Sequence, residues 1–263
     1  MKLHSHFFVF AFVAILMCNY NISYSQSLDE LLKQGDNYLN VEFNNQKALE
    51  TFKNADKQFP NDWEIYWRLS RAYVYEAEIM PDNTSEQKDA QLAVYKKAFD
   101  YADKAVKLAP DKSITYLRRA IANGRIALFK GVFSVAGVVN AVKADCEKAI
   151  SLGNGGNHIQ ALAHYVIART NDKVSEKWAP ARSVIGLGWA SMDKAFTEYN
   201  TSIKLYPNFR MFYLDLGKAY IKEDEYTKAK EMLRKVIESP KQEINDDNQL
   251  AEAKNLLEKI KNK

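Results

Sequence analysis

The chain has 263 residues and a formal net charge of +4, because 37 lysine and arginine residues outnumber 33 aspartate and glutamate residues. Its hydrophobic fraction of 47% is typical of a folded soluble protein and excludes a disordered chain or a protein with many membrane spans. Ten glycines and six prolines are too few for a turn-rich β protein, and two cysteines exclude a disulfide scaffold. The composition favours a helical fold, and so small a net charge gives no reason to expect binding to nucleic acid.

The N-terminal segment has the pattern of an export signal. A short basic stretch precedes twelve apolar residues at 7–18, fewer than the roughly 20 that a bilayer span needs. Ser23 and Ser25 place small side chains just before a possible cleavage site at Gln26. We therefore expect a Gram-negative type of signal peptide at residues 1–25, cleaved before about Gln26, and a periplasmic or secreted protein.

Two alternatives to this signal peptide stay open. Cys18 could anchor a lipoprotein, although Met17 stands where a lipoprotein signal has a small residue. The apolar run could also be the first helix of a cytosolic protein. No other segment is long and apolar enough for an integral membrane span.

Residues 26–240 carry a helical repeat. In chain order, the residues that mark it are Leu31, Gly35, Tyr38, Ala48 and Phe52; Tyr66, Leu69, Ser70, Tyr73, Ala98 and Ala102; Tyr116, Ala120, Val142, Cys146 and Ala149; Ala195, Tyr199 and Ser202; and Tyr213, Leu216, Gly217, Tyr220, Ala229 and Leu233. Large residues at helical spacing, with a small residue where two helices approach closely, resemble the tetratricopeptide repeat (TPR), a helix–turn–helix unit of about 34 residues.

The repeat predicts how the chain is organised. A single helix pair of this kind exposes an apolar face, so successive pairs stack into a solenoid. We therefore predict an all-α, TPR-like α-solenoid of about five helix pairs at residues 26–240. The charged segment at residues 241–263 is predicted to be a C-terminal capping helix. A helical bundle without repeats is the alternative architecture.

Three units are longer than the repeat requires, and their insertions carry a further resemblance. The segments concerned are residues 123–127, His164 and Tyr165 with Ala168 and Lys177, the insertion at 178–188, and residues 216–220. Together they resemble the TPR region of the regulator-of-microtubule-dynamics family over roughly residues 60–237. The resemblance implies a helical, non-enzymatic binding protein. Its eukaryotic members are implied to associate with organelles and the cytoskeleton, and that partner is not carried over to an exported chain.

The sequence offers little chemistry. It contains no P-loop and no dinucleotide-binding, metalloprotease or serine-hydrolase motif. His158 and His164 are six residues apart and do not share a helical face, which disfavours a metal site. Cys146 occupies an inward position of the repeat and is expected to be a buried small hydrophobe. We predict no enzymatic activity, no catalytic residue, no cofactor and no bound metal.

The concave groove of the solenoid is the candidate binding site. The first-helix residues expected to face it are Trp67, Arg71, Tyr75, Leu117, Ile121, Arg125, Tyr165, Arg169, Lys218 and Lys222. Aromatic residues and arginine are enriched at binding hot spots, and arginine can hold a carboxylate with two hydrogen bonds. We predict a groove for a protein or an extended peptide that is acidic or ends in a free carboxylate. The alternative is that the basic residues pair with acids of neighbouring helices.

These patterns together predict an exported, non-enzymatic scaffold that binds a partner protein. One alternative is a structural component of the cell envelope that associates with itself. Another is an enzyme or small-ligand binder that uses the insertion at residues 173–189.

Overall fold

The structure is a computed structural model that describes residues 26–263. The predicted signal peptide at residues 1–25 lies outside the described residues. Within the described part of the chain every regular element is helical, which confirms the all-α prediction. The helices are α1 (Leu28–Asn40), α2 (Asn45–Gln58), α3 (Trp63–Glu78), α4 (Ser85–Leu108), α5 (Ser113–Lys130), α6 (Ala136–Leu152), α7 (Gly156–Ser175), α8 (Ala179–Val184), α9 (Met192–Leu205), α10 (Arg210–Lys222), α11 (Tyr226–Glu238) and α12 (Asp246–Lys259).

The helices form the five stacked pairs that the repeat predicts. The pairs are α1 with α2, α3 with α4, α5 with α6, α7 with α9, and α10 with α11. The first helices of neighbouring pairs also pack on one another, so α3, α5 and α7 lie side by side. The terminal helix α12 packs on α10 and α11. None of the described helices combines the length and the apolarity that crossing a bilayer requires.

Side-chain caps fix where several of these helices begin. Ser27 and Thr84 each form a capping box at the start of α1 and α4, with Glu30 and Gln87 as the reciprocal partners. The carboxylate of Asp62 accepts two backbone N–H groups at the start of α3. These caps satisfy backbone donors that have no partner within the helix, and so they fix where α1, α3 and α4 begin.

The small residues of the repeat sit at close helix contacts. A Cβ atom on Gly35 would lie 2.2 Å from Cε1 of Phe52, whose ring is fully buried between α1 and α2. A Cβ atom on Gly217 would lie 3.1 Å from the side chain of Leu233 in the fifth pair. Helices α1 and α2 could not approach this closely if residue 35 had a side chain.

The insertions take three different forms. The second pair is extended within its helices, since α4 alone has 24 residues. The third pair has an added loop after α5, and the fourth contains the short helix α8. These last two insertions pack together, because Leu187 is buried beside Val139 and the indole N–H of Trp189 donates to Asn140 Oδ1 at 2.8 Å. Trp178 is 75% exposed and takes no part in this packing.

The C-terminal region departs from the predicted single helix. Helix α12 begins at Asp246, and the preceding residues 240–245 form an irregular segment that we call the strap. The Asp246 carboxylate accepts the backbone N–H groups of Gln242 and Glu243 at 2.7 and 3.1 Å, which bends the strap back onto the start of α12. Ile244 packs against the core of the first two pairs. The strap therefore connects the last helix pair to the second one across the concave side of the solenoid.

Candidate functional site

A cleft lies on the concave side of the solenoid. It is formed by α3, α5 and α7, together with the start of α10 and the strap, and it has a volume of about 970 Å³ including the part open to solvent. Its walls are largely apolar, with Val74, Ile121, Leu162 and Val166 among the lining residues. Polar and charged side chains, among them Arg71, Arg118 and Glu243, also line it, and apolar walls with convergent polar groups are usual in a ligand-binding cleft.

Six of the ten predicted groove residues line this cleft. They are Arg71, Tyr75, Ile121, Arg125, Tyr165 and Arg169. The other four lie elsewhere: Trp67, Leu117, Lys218 and Lys222. The second, third and fourth pairs thus supply the cleft, while the first helix of the fifth pair contributes only through its N-terminal end.

The structure places Leu117 and Trp67 in the packing around the cleft. Leu117 is fully buried in the core shared by the third, fourth and fifth pairs. Trp67 is half-buried, and its ring centroid lies 4.2 Å from the guanidinium carbon of Arg68 and 5.7 Å from that of Arg118. Neither residue lines the cleft, because neighbouring helices cover the faces of α3 and α5 on which they lie.

Each basic residue of the predicted groove pairs with an acid of the same chain. The pairs are Arg71 with Glu243, Arg125 with Glu78, Arg169 with Asp215, Lys218 with Asp215 and Glu252, and Lys222 with Asp172 and Glu176. In this structure these basic side chains therefore form ion pairs within the chain, as the alternative interpretation predicts. Binding of a peptide in the cleft stays a prediction.

One of these networks is centred on Asp215. The Tyr165 hydroxyl donates to Asp215 Oδ2 at 2.6 Å, and Arg169 Nε lies 3.5 Å from the same oxygen. Burial alone would raise the pKa of Asp215, but the charges of Arg169 and Lys218 outweigh it and lower the pKa below its usual value. Asp215 therefore stays ionised and fixes Tyr165 and Arg169 in the wall of the cleft.

The strap places a carboxylate in the cleft. Glu243 is only 8% exposed, and it accepts hydrogen bonds from Arg71 Nη2 at 3.3 Å and from the Tyr75 hydroxyl. Burial raises the pKa of Glu243, against the lowering effect of the Arg71 charge. Beside it, Asn245 donates to Glu78 Oε2 at 2.5 Å. A segment of the chain itself thus occupies part of the predicted peptide groove.

Arg118 also lines the cleft, and it is not among the residues that the repeat phase predicts there. It is 8% exposed and makes no hydrogen bond or ion pair with any residue of the described range 26–263. Burial lowers the pKa of its guanidinium, and the nearby charge of Arg71 adds to this effect. The signal that could have found it is helical spacing, because Arg118, Ile121 and Arg125 lie three and four residues apart on one face of α5.

Cys146 and His164 are side chains that could carry chemistry, and both take part in packing between helices. Cys146 is fully buried, and burial raises the pKa of its thiol. His164 Nδ1 lies 2.5 Å from Glu198 Oε2 in a half-buried contact between α7 and α9. Across the part of the chain that the structure describes, no three His, Cys, Asp or Glu residues are placed to hold a metal ion. In the 173–189 insertion only Lys173 lines the cleft.

Comparison with known proteins gives one family. The family model described as "Regulator of microtubule dynamics protein 1-3" matches residues 31–261. No curated protein matches the chain significantly.

Several solved structures are similar. The thermophilic TPR protein TTC0263 from Thermus thermophilus has 16% identity, with 74% of this chain and 82% of that chain covered and a TM-score of 0.48. MamA from Desulfovibrio magneticus RS-1 has 17% identity, with 81% and 95% covered and a TM-score of 0.45. A monomeric IFIT1 mutant with m7Gppp-AAAA has 14% identity, with 82% and 51% covered and a TM-score of 0.44.

Proposed function

Because the chain belongs to the family of regulator of microtubule dynamics proteins 1–3, we propose that it is a non-enzymatic scaffold that binds an extended segment of a partner protein in the cleft. One observation carries this proposal. The strap, an irregular segment with a buried carboxylate, already lies in the cleft and is held there by Arg71 and Tyr75. The cleft therefore has the shape and the chemistry to accept non-helical backbone with an acidic side chain.

The character of the cleft also indicates which peptides it would accept. Apolar walls favour aliphatic side chains, and the buried guanidinium groups favour a carboxylate over a cation. A short extended peptide held in this way typically binds with about micromolar affinity, or roughly −8 kcal/mol. That strength suits reversible assembly, so we propose that the partner is acidic and bound transiently.

A substitution at Gly124 tests the groove. Gly124 lies within α5 and lines the cleft, and a Cβ atom added there would meet no atom within 4 Å. Gly124→Gln should therefore fill the cleft without a clash, and removing a glycine from a helix should leave the free energy of unfolding unchanged or raise it by about 0.5–1 kcal/mol. Fluorescence polarisation with a set of labelled acidic decapeptides measures the binding. The dissociation constant should rise at least about tenfold, which corresponds to about 1.4 kcal/mol of binding free energy.

Gly137→Gln is the matched control. Gly137 also lies in a helix and an added Cβ atom would again meet nothing within 4 Å, but this residue is outside the cleft. The variant should give a similar thermal stability and leave peptide binding unchanged. Acidic peptides that bind equally well to the Gly124→Gln protein, or that fail to bind the unsubstituted protein, would contradict the proposed function.

We also propose export, on the pattern of the N-terminal sequence. The apolar run at residues 7–18 and the small residues Ser23 and Ser25 support cleavage before Gln26. Full-length protein produced in a Gram-negative host should be recovered from the periplasm or the medium, with an N-terminal sequence that begins at about Gln26. Recovery from the cytoplasm with residue 2 or Met1 at the N-terminus would reject this proposal.

A further inference from the structure

Two buried arginines line the cleft, and within the described chain only one of them pairs with a carboxylate. Arg71 and Arg118 are 9% and 8% exposed, they line the same cleft, and each charge lowers the pKa of His158 beside them. Glu243 pairs with Arg71, but it forms no hydrogen bond or ion pair with Arg118. No acid of the described chain pairs directly with Arg118, since Asp36, whose charge acts on it from a distance, is already paired with Arg68.

This arrangement is costly for the protein alone. The buried Nε of Arg118 has no hydrogen-bond partner in the described chain, and the guanidinium lies 5.7 Å from the centroid of the Trp67 ring. A hydrophobic side chain of similar length would leave no unpaired polar atom at the same position. The unbalanced charge is explained if an anion from outside the chain completes the cluster.

We propose that Arg118 is the anchor for a carboxylate of the bound peptide, next to the subsite in which Arg71 and Tyr75 hold Glu243. The inference deepens the proposed function, on which it rests, by naming the residue that selects an acidic ligand. The ligand class is an extended peptide whose carboxylate, from a side chain or the C-terminus, pairs with Arg118. A neighbouring aliphatic side chain then packs on Ile121 and Leu162, which line the same cleft.

The strap is the reason to assign a peptide as the ligand. It places the Glu243 carboxylate in the cleft and packs the next side chain, the aliphatic Ile244, against the core of the first two pairs, all on irregular backbone. A peptide of the same character would repeat this arrangement at Arg118. The probe is therefore acetyl-Lys-Gln-Glu-Ile-Asn-amide, which copies residues 241–245, and the control peptide has Gln in place of its Glu.

The test compares the purified full chain with its Arg118→Met variant by thermal unfolding. At tenfold excess over its dissociation constant, the Glu peptide should raise the Tm of the unsubstituted protein by about 3 °C. The Gln peptide should not raise it. Arg118→Met should abolish the response while its own Tm stays equal to or rises above that of the unsubstituted protein, because the variant removes an unbalanced buried charge.

Arg119→Met is the matched control on the next residue of α5. Arg119 donates to Asp145 at 2.8 and 2.9 Å and to Asp103 at 2.8 Å, so its role is structural. Its loss should lower the Tm and leave the response to the Glu peptide intact. This contrast separates a ligand anchor from an arginine that holds helices together.

Three results would overturn the proposal. The first is a fall in Tm for Arg118→Met as large as that for Arg119→Met. The second is an unchanged response of Arg118→Met to the Glu peptide. If Gly124→Gln still weakens the binding of the acidic decapeptides, the cleft remains the peptide-binding site and only the assignment of Arg118 is wrong. The third is stronger stabilisation by octanoate or inorganic phosphate than by the Glu peptide at equal concentration, which would remove the peptide assignment.

Discussion

Replacing Asp215 by Asn is expected to lower the free energy of unfolding by about 3–5 kcal/mol, the cost of breaking a buried ion pair by removing one partner. The Asp215 carboxylate is buried and accepts from Tyr165, and it lies 3.5 Å from Arg169 and 3.4 Å from Lys218. An amide keeps the size of the side chain but removes the charge that compensates Arg169. The loss should therefore come from electrostatics and not from a cavity.

Urea unfolding followed by far-UV circular dichroism measures this effect. Glu42→Gln is the control, because it also removes one carboxylate from an ion pair, but Glu42 and Lys47 are exposed and 3.8 Å apart. An exposed pair of this kind contributes little, so the control should unfold at the same urea concentration as the unsubstituted protein. A similar, small change for both variants would show that Asp215 does not hold the wall of the cleft.

The fold could be predicted because its determinants are local. Residues such as Gly35 and Phe52 are seventeen positions apart, and their contact follows from two helices and one turn. The same pattern recurs in each helix pair, so the stacking of the pairs into a solenoid could be predicted without knowing which distant residues are in contact. The repeat phase also brought residues such as Arg71, Ile121 and Tyr165 to one cleft.

The site was predicted less completely, for two physical reasons. Leu117 and Arg118 are neighbours on α5, and a shift of one residue rotates a helix position by about 100°, enough to exchange the core for the cleft. The helical spacing of Arg118 with Ile121 and Arg125 is enough to assign Arg118, and not Leu117, to the cleft. Glu243 is different, because 172 residues separate it from Arg71. Its place in the cleft depends on how the whole solenoid curves, which no local pattern of residues contains.

Acidification should destabilise the protein through His158. Its imidazole packs on the rings of Tyr206 and Phe209, with centroid distances of 4.5 and 5.7 Å, and its Nε2 has no hydrogen-bond partner. Burial, followed by the charges of Arg118 and Arg71, lowers the pKa of His158 from 6.5 to about 4. The folded protein therefore resists a proton that the unfolded chain takes up readily.

The sign of the pH dependence follows from that difference. Above pH 6.5 both states hold a neutral imidazole, and the full stability is present. As the pH falls from 6.5 towards about 4, only the unfolded state binds the proton, so stability is lost. The loss should reach about 3 kcal/mol at pH 4, since each pH unit of this interval contributes about 1.4 kcal/mol.

The measurement is the difference in unfolding free energy between pH 7 and pH 4, compared with that of a His158→Gln variant. The raised pKa of Glu243 acts in the opposite direction, because the folded state gains that proton more readily, but both proteins share it and it cancels in the comparison. His158→Gln should therefore lose about 3 kcal/mol less than the unsubstituted protein on acidification. An equal loss in both, or an NMR titration of His158 near pH 6.5, would contradict the burial of an uncharged imidazole beside two arginines. Since Arg118 lowers this pKa, a carboxylate bound at Arg118 should raise it, so the same titration also reports on whether the cleft is occupied.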